Sequence, residues 1–209
     1  MDTAVTLAMG GSVTLKTKLP DACRVLIVED EPVQALALEC VLEELGCRSM
    51  GPVWQAQDIG QLLRREPPSF ALVDSNLRDH LIPAVECLNL HRVPFALLAM
   101  GAEGEALERV TALRDRPRID RPFHGPTVYE AARQLYRTSL IDQVARADAR
   151  IAQGQVRLAE QQRRVERGAS CGDSHTATSQ ILADELARAL QMMCASRELL
   201  LAQLSELTG

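Results

Sequence analysis

"RVLIVEDEP", residues 24–32, begins as an unbroken apolar run and ends in three adjacent carboxylates, Glu29, Asp30 and Glu31. A strand whose two faces are both covered reads as continuous hydrophobic sequence rather than as an alternation. Carboxylates that repel one another belong at the end of such a strand, at a sheet edge facing solvent, because burying unpaired charge is costly. Similar apolar runs follow at "FALVD" (70–74) and "PFALLA" (94–99), with weaker ones at "CRSMGPV" (47–53) and "PRID" (117–120). Between them lie segments with helical spacing. Pro32–Leu45 repeats Val33, Leu36, Ala37, Val41 and Leu45 and stops at Gly46, a residue favoured just past a helix end. Residues 55–65, 81–90, 103–113 and 127 onward have the same character. Strand and helix alternating five times predict an α/β fold: a five-stranded, parallel, doubly wound (flavodoxin-like) sheet. In such sheets ligands bind beyond the carboxyl ends of the strands, where Glu29, Asp30 and Asp74 fall.

Of the 209 residues 46% are hydrophobic and only 3% aromatic, which suits Leu- and Ala-rich helices better than a β-sandwich. The net charge of -5 gives no general attraction to nucleic acid. Cys23, Cys40, Cys47, Cys87, Cys171 and Cys194 are scattered without metal-ligand spacing and read as reduced packing residues. "AVTLAMGGSVTL" is interrupted by glycines and lacks a preceding basic segment, and no run is long enough to cross a bilayer. The expected organisation is a flexible tail over 1–21, an α/β domain over 22–138, a helical hairpin over 139–209 and a cytoplasmic location.

In that last region Val144, Ile151, Leu158 and Val165 recur every seventh residue, with Ala147, Gly154 and Gln161 on the companion position. Large residues facing small ones let a partner helix approach closely. Residues 167–179, "RGASCGDSHTATS", read as the turn, with Gly168 and Gly172 as breakers and Asp173 or Ser174 as caps. Leu186, Leu190, Met193, Leu200, Leu204 and Leu207 then form a second seam interrupted by Arg197. Leu199, Leu200, Leu201 and Met192-Met193 offer more apolar surface than one seam uses. Either a second copy covers it, giving a dimeric four-helix bundle through 139–209, or the hairpin folds back on its own domain. The row Arg150, Arg157 and Arg164 leaves nucleic-acid binding as a minor alternative.

Carboxylates converging on one pocket call for a compensating cation, and a hard divalent ion such as Mg2+ is the natural one. These residues resemble the receiver domain of two-component response regulators. "LIVEDEP" matches the first strand with its acidic pair, "FALVDSNL" the strand carrying the phosphorylated aspartate, and "IDRPF" the Lys-Pro-Phe after the fifth strand. The resemblance covers roughly residues 23–138. It implies Asp74 as phosphoacceptor and a Mg2+ site drawn from Glu29, Asp30, Asp74 and the carbonyl of Asn76. It also implies a sensor histidine kinase as phosphoryl donor in a phosphorelay, and no enzymatic output of the chain's own. Glu29 is read either as a solvated charge or as a support behind the metal, and Glu31 as a favourable charge at a helix N-terminus.

Three positions depart from the family pattern. Ala99 stands where it has Thr or Ser, Arg121 where it has Lys, and Arg118 where it has an aromatic residue. Without a hydroxyl at 99, one charge-assisted hydrogen bond of about 1.5 to 3 kcal/mol is lost from the phosphate-driven switch. Arg121 either stands in for the lysine or clamps Asp74 or Asp30 and competes with the metal. A phosphorylation-independent scaffold is therefore the second expectation. His80 and His124 read as surface residues near the pocket, and His175 as part of the turn.

Overall fold

The computed structural model describes residues 18–20, 22–99, 113, 115–171 and 176–207. Five parallel strands, β1 (Arg24–Val28), β2 (Arg48–Val53), β3 (Phe70–Asp74), β4 (Phe95–Ala99) and β5 (Arg118–Asp120), form one sheet in the order β2-β1-β3-β4-β5. The helices are α1 (Pro32–Glu44), α2 (Ala56–Arg65), α3 (Leu81–Leu90), α4 (Gly125–Cys171) and α5 (Thr176–Glu206), with a short 3-10 turn at Arg78–His80 before α3. This is the doubly wound architecture that the alternation predicts. The predicted helix over 103–113 falls almost wholly outside the described residues.

The apolar runs are continuous because the central strands are covered on both faces. Leu26, Val28, Ala71, Val73, Phe95 and Leu97 pack with Ile59 and Leu63 of α2 and Ala84, Val85 and Leu88 of α3. The alternate residues Val25, Ile27, Phe70, Leu72, Ala96 and Leu98 are equally buried on the other face. β2 and β5 occupy the edges and carry the mixed sequences. Leu19, expected in a flexible tail, is buried and donates its N–H to the Leu45 carbonyl; residues 1–17 lie outside the described set. Cys23 and Cys47 are buried as expected, whereas Cys40 is exposed.

Two elements correct the sequence reading. α1 buries Ala35, Leu38 and Leu42, while Val33 is 72% and Leu36 60% exposed. The helix is apolar on nearly every side, so its periodicity admits two registers, and packing on the sheet selects the other one. α4 also continues through Gly168 to Cys171, so the turn begins later than its glycines suggest. Helix hydrogen bonding tolerates an interior glycine at a cost of about 1 kcal/mol. Asp173, Ser174 and His175 lie outside the described residues.

The chain divides into two compact units between Ser139 and Leu140, a boundary inside α4. Within the second unit the seven-residue seam is real: Ile151 is buried, and Gly154 lies so close to Leu190 that an added Cβ would stand 2.6 Å from Leu190 Cδ2. Gln161 is buried and donates from Nε2 to the Ser179 carbonyl at 3.0 Å. Arg197, the apparent interruption, pairs with Asp148 on the facing helix.

Candidate functional site

The parallel strands all point their carboxyl ends to one edge. β1 delivers Glu29 and Asp30 there, β3 ends on Asp74, β4 on Ala99, and Arg121 follows β5. Main-chain bonds fix the loops: Ser75 donates to the Leu98 carbonyl, and Arg121 donates to the Ala99 carbonyl. Carboxylate oxygens of Glu29, Asp30 and Asp74 lie within 4.8 Å of one another. A cleft of about 380 Å³ opens on Asp30, Glu31, Asp74, Asn76, Arg78 and Arg121.

The strand-end carboxylates do not all face solvent, contrary to the expectation. Glu29 and Asp74 have side chains only 1% and 4% exposed, under an Arg121 side chain 9% exposed. Asp30 alone of the three is exposed. The Arg121 guanidinium explains the difference. One nitrogen, Nη2, lies 2.9 Å from Glu29 Oε2 and 2.8 Å from Asp74 Oδ1. The bridge to Glu29 is a hydrogen bond, whereas the approach to Asp74 lacks hydrogen-bond alignment and leaves buried Oδ1 without one. Arg121 therefore clamps Asp74, as one of the two expectations had it, but its other partner is Glu29 rather than Asp30. Its guanidinium also lies 5.5 Å from the ring centre of Phe123.

One cation between two buried carboxylates does not fully compensate them. Burial pushes the Glu29 carboxyl up to about 7, against the pull of the Glu31 N–H, which donates to Oε1 at 3.1 Å, and of Arg121. Burial also raises Asp74, while the Asn76 N–H and Arg121 draw it back. Glu31 itself precedes α1 as its N-cap, without a side-chain capping bond.

The donors suit a hard divalent ion. They are oxygens, three of them carboxylate, and Asp30 has no ion pair among the described residues. Arg121 occupies part of the same charge-balancing role. His80 and His124 do not line the cleft. Arg78 does line it, and the sequence reading passed over it; its signal was a cation four residues beyond Asp74 on the same loop.

Neither a family model nor a curated protein matches the sequence. Solved structures do. SdrG from Sphingomonas melonis Fr1 is 30% identical, with a TM-score of 0.47, over 56% of this chain and 98% of SdrG. The response regulator PhyR from Brucella abortus is 28% identical, with a TM-score of 0.50, over 62% of this chain and 54% of PhyR. The first unit of this chain is a receiver domain of the response regulator kind. The signal receiver domain of a modulated diguanylate cyclase from Desulfovibrio desulfuricans G20, 20% identical, shares the fold with a TM-score of 0.50 over 57% of this chain and 97% of that one. The receiver matches leave more than a third of this response regulator without a counterpart in these structures. Its receiver departs from the expected pattern where Ala99 is buried at the end of β4 and Arg118 is half-buried in β5. No described helix is long and apolar enough to cross a membrane.

Proposed function

We propose that this response regulator accepts a phosphoryl group on Asp74 from a sensor histidine kinase, with Mg2+ in the acidic cleft, and signals through a dimer formed by residues 139–209. The gathering of Glu29, Asp30 and Asp74 within 4.8 Å, with Asp30 and Asp74 lining one cleft, carries this reading. A carboxylate oxygen of Asp74 attacks phosphorus, the phosphorus–nitrogen bond of the donor phosphohistidine breaks, and its electron pair returns to the imidazole, which takes up a proton. An acyl phosphate results. When bound, Mg2+ neutralises the transferring oxygens; Asp30, Asp74 and the Asn76 carbonyl would hold it, with Glu29 behind them. Arg121 keeps Asp74 from repelling Glu29 beforehand and must loosen as Asp74 reacts.

The kinase needs a surface beside the cleft, and α1 supplies one in its exposed Val33 and Leu36. In the second unit Ile181, Leu182, Met192 and Leu199 are exposed on α5 and would be covered by a second hairpin. SdrG has been obtained in a BeF3-activated conformation, and the same probe suits this chain. Incubation with phosphorylated candidate kinases is the direct test. The parent chain becomes labelled and Asp74→Ala does not; label that survives on Asp74→Ala overturns the assignment.

A second reading has its own observation. Arg121 already pairs with the buried carboxylates of Glu29 and Asp74, and Ala99 has no hydroxyl with which to answer phosphate. The protein would then be a dimeric scaffold held in one state. Absence of beryllofluoride binding, with Asp74→Asn equal to the parent in partner assays, selects it.

A further inference from the structure

Two arginines line the acidic cleft, and only one is engaged. Arg121 is committed to Glu29 and Asp74. Arg78 is exposed and has no ion pair or side-chain hydrogen bond to any described residue, although Asp30 and Glu31 line the same cleft. Its backbone is left-handed, with φ of 49°, a conformation that costs a non-glycine residue about 1 kcal/mol or more. The following turn, Arg78–His80, leads directly into α3. Buried Leu77 holds the near side of that turn in the core.

A phosphoryl group on Asp74 would bring close to two negative charges into a cleft already lined by Asp30 and Glu31. The usual neutral donor from the end of β4 is absent, because residue 99 is alanine. Arg121 has one charge shared between two carboxylates, and Arg78 is the other cation in the lining. A guanidinium offers two parallel N–H donors to two phosphoryl oxygens, which neither a hydroxyl nor a backbone amide can match. We propose that Arg78 is the residue that binds the phosphoryl oxygens on Asp74, in place of the hydroxyl missing at position 99. The inference rests on the reading of Asp74 as phosphoacceptor. It moves the response to phosphate from the loop after β4 to the turn that begins α3.

Beryllofluoride with Mg2+, titrated into the full chain, tests this, together with the half-life of the acyl phosphate. Arg78→Ala should weaken beryllofluoride binding by about tenfold to a hundredfold, the span expected for charge-assisted hydrogen bonds, and shorten the acyl phosphate's life. Arg78→Lys should retain part of the affinity. Arg65→Ala, an exposed arginine at the end of α2 and outside the cleft, should leave it unchanged. The melting temperature of unliganded Arg78→Ala should equal that of the parent, since the exposed side chain gives up no ion pair or hydrogen bond to a described residue. If Arg78→Ala binds as tightly as the parent, or Arg65→Ala weakens binding equally, the role of Arg78 is overturned while that of Asp74 stands. If the parent itself fails to bind and Asp74→Asn behaves identically, the phosphoacceptor reading falls and Arg78 falls with it.

Discussion

At the scale of single residues, the site turns on Arg121, whose one positive charge lies against two buried carboxylates at 2.8 and 2.9 Å. Removing one partner of a buried ion pair leaves its mate uncompensated, at a cost of about 3–5 kcal/mol. Arg121→Ala is therefore expected to lower the urea-unfolding free energy by about that amount at neutral pH without divalent ions, with Arg121→Lys losing less. The loss should shrink in acid, where the carboxylates take up protons. Glu29 gives a second expectation. Its carboxyl is held at about 7 against an ordinary 4.5, so across that window the folded chain keeps a proton that the unfolded chain has released. The stabilisation is complete below the lower value and is lost as pH rises through the upper one. In metal-free buffer Glu29→Gln should flatten this decline, as read from the urea midpoint against pH. The acidic pair, Asp74 and the replacement at 121 were all legible in the sequence. Burial of Glu29 and Asp74 was not, because the guanidinium that roofs them follows a different strand, and only the folded sheet brings β1, β3 and β5 to one edge.

At the scale of elements, glycine has opposite meanings in a strand and in a helix. Gly51 in β2 has φ of 104°, and a Cβ there would stand 2.7 Å from the main-chain oxygen of Ile27. Neither the dihedral nor the strand can relax cheaply, so Gly51→Ala should cost about 2–3 kcal/mol in chemical denaturation. In Gly154 the obstruction is the far end of the Leu190 side chain, which can turn. Alanine also gains about 1 kcal/mol in helix propensity over glycine, so Gly154→Ala should fall close to the parent in the same experiment. Strand positions were readable because buried parallel strands are apolar throughout, and "FALVD" coincides with β3. The buried face of α1 was not, since Val33 and Leu36 are as apolar as Ala35 and Leu38. Those exposed residues yield their own expectation: Leu36→Glu should slow phosphoryl transfer from the cognate kinase while leaving beryllofluoride affinity intact.

At the scale of the whole molecule, the alternation of strand and helix made the receiver fold legible, and the seven-residue period did the same for the seam of the hairpin. The partner of its remaining apolar residues cannot be read from one chain, because the same stripe serves a second copy or another protein equally well. Dimerisation predicts a light-scattering mass near twice 22.9 kDa. Met192→Glu combined with Leu199→Glu should return it to the single value without changing the melting temperature of the receiver. The placement of ion pairs also separates exterior from interior in added electrolyte. Arg24 and Arg48 share Glu66 where water reaches all three, so molar sodium chloride should dissolve that attraction. The bridge of Arg121 to Glu29 and Asp74 is largely buried and is screened far less, so the charge balance that tunes Asp74 should persist in brine that has erased the surface pairs.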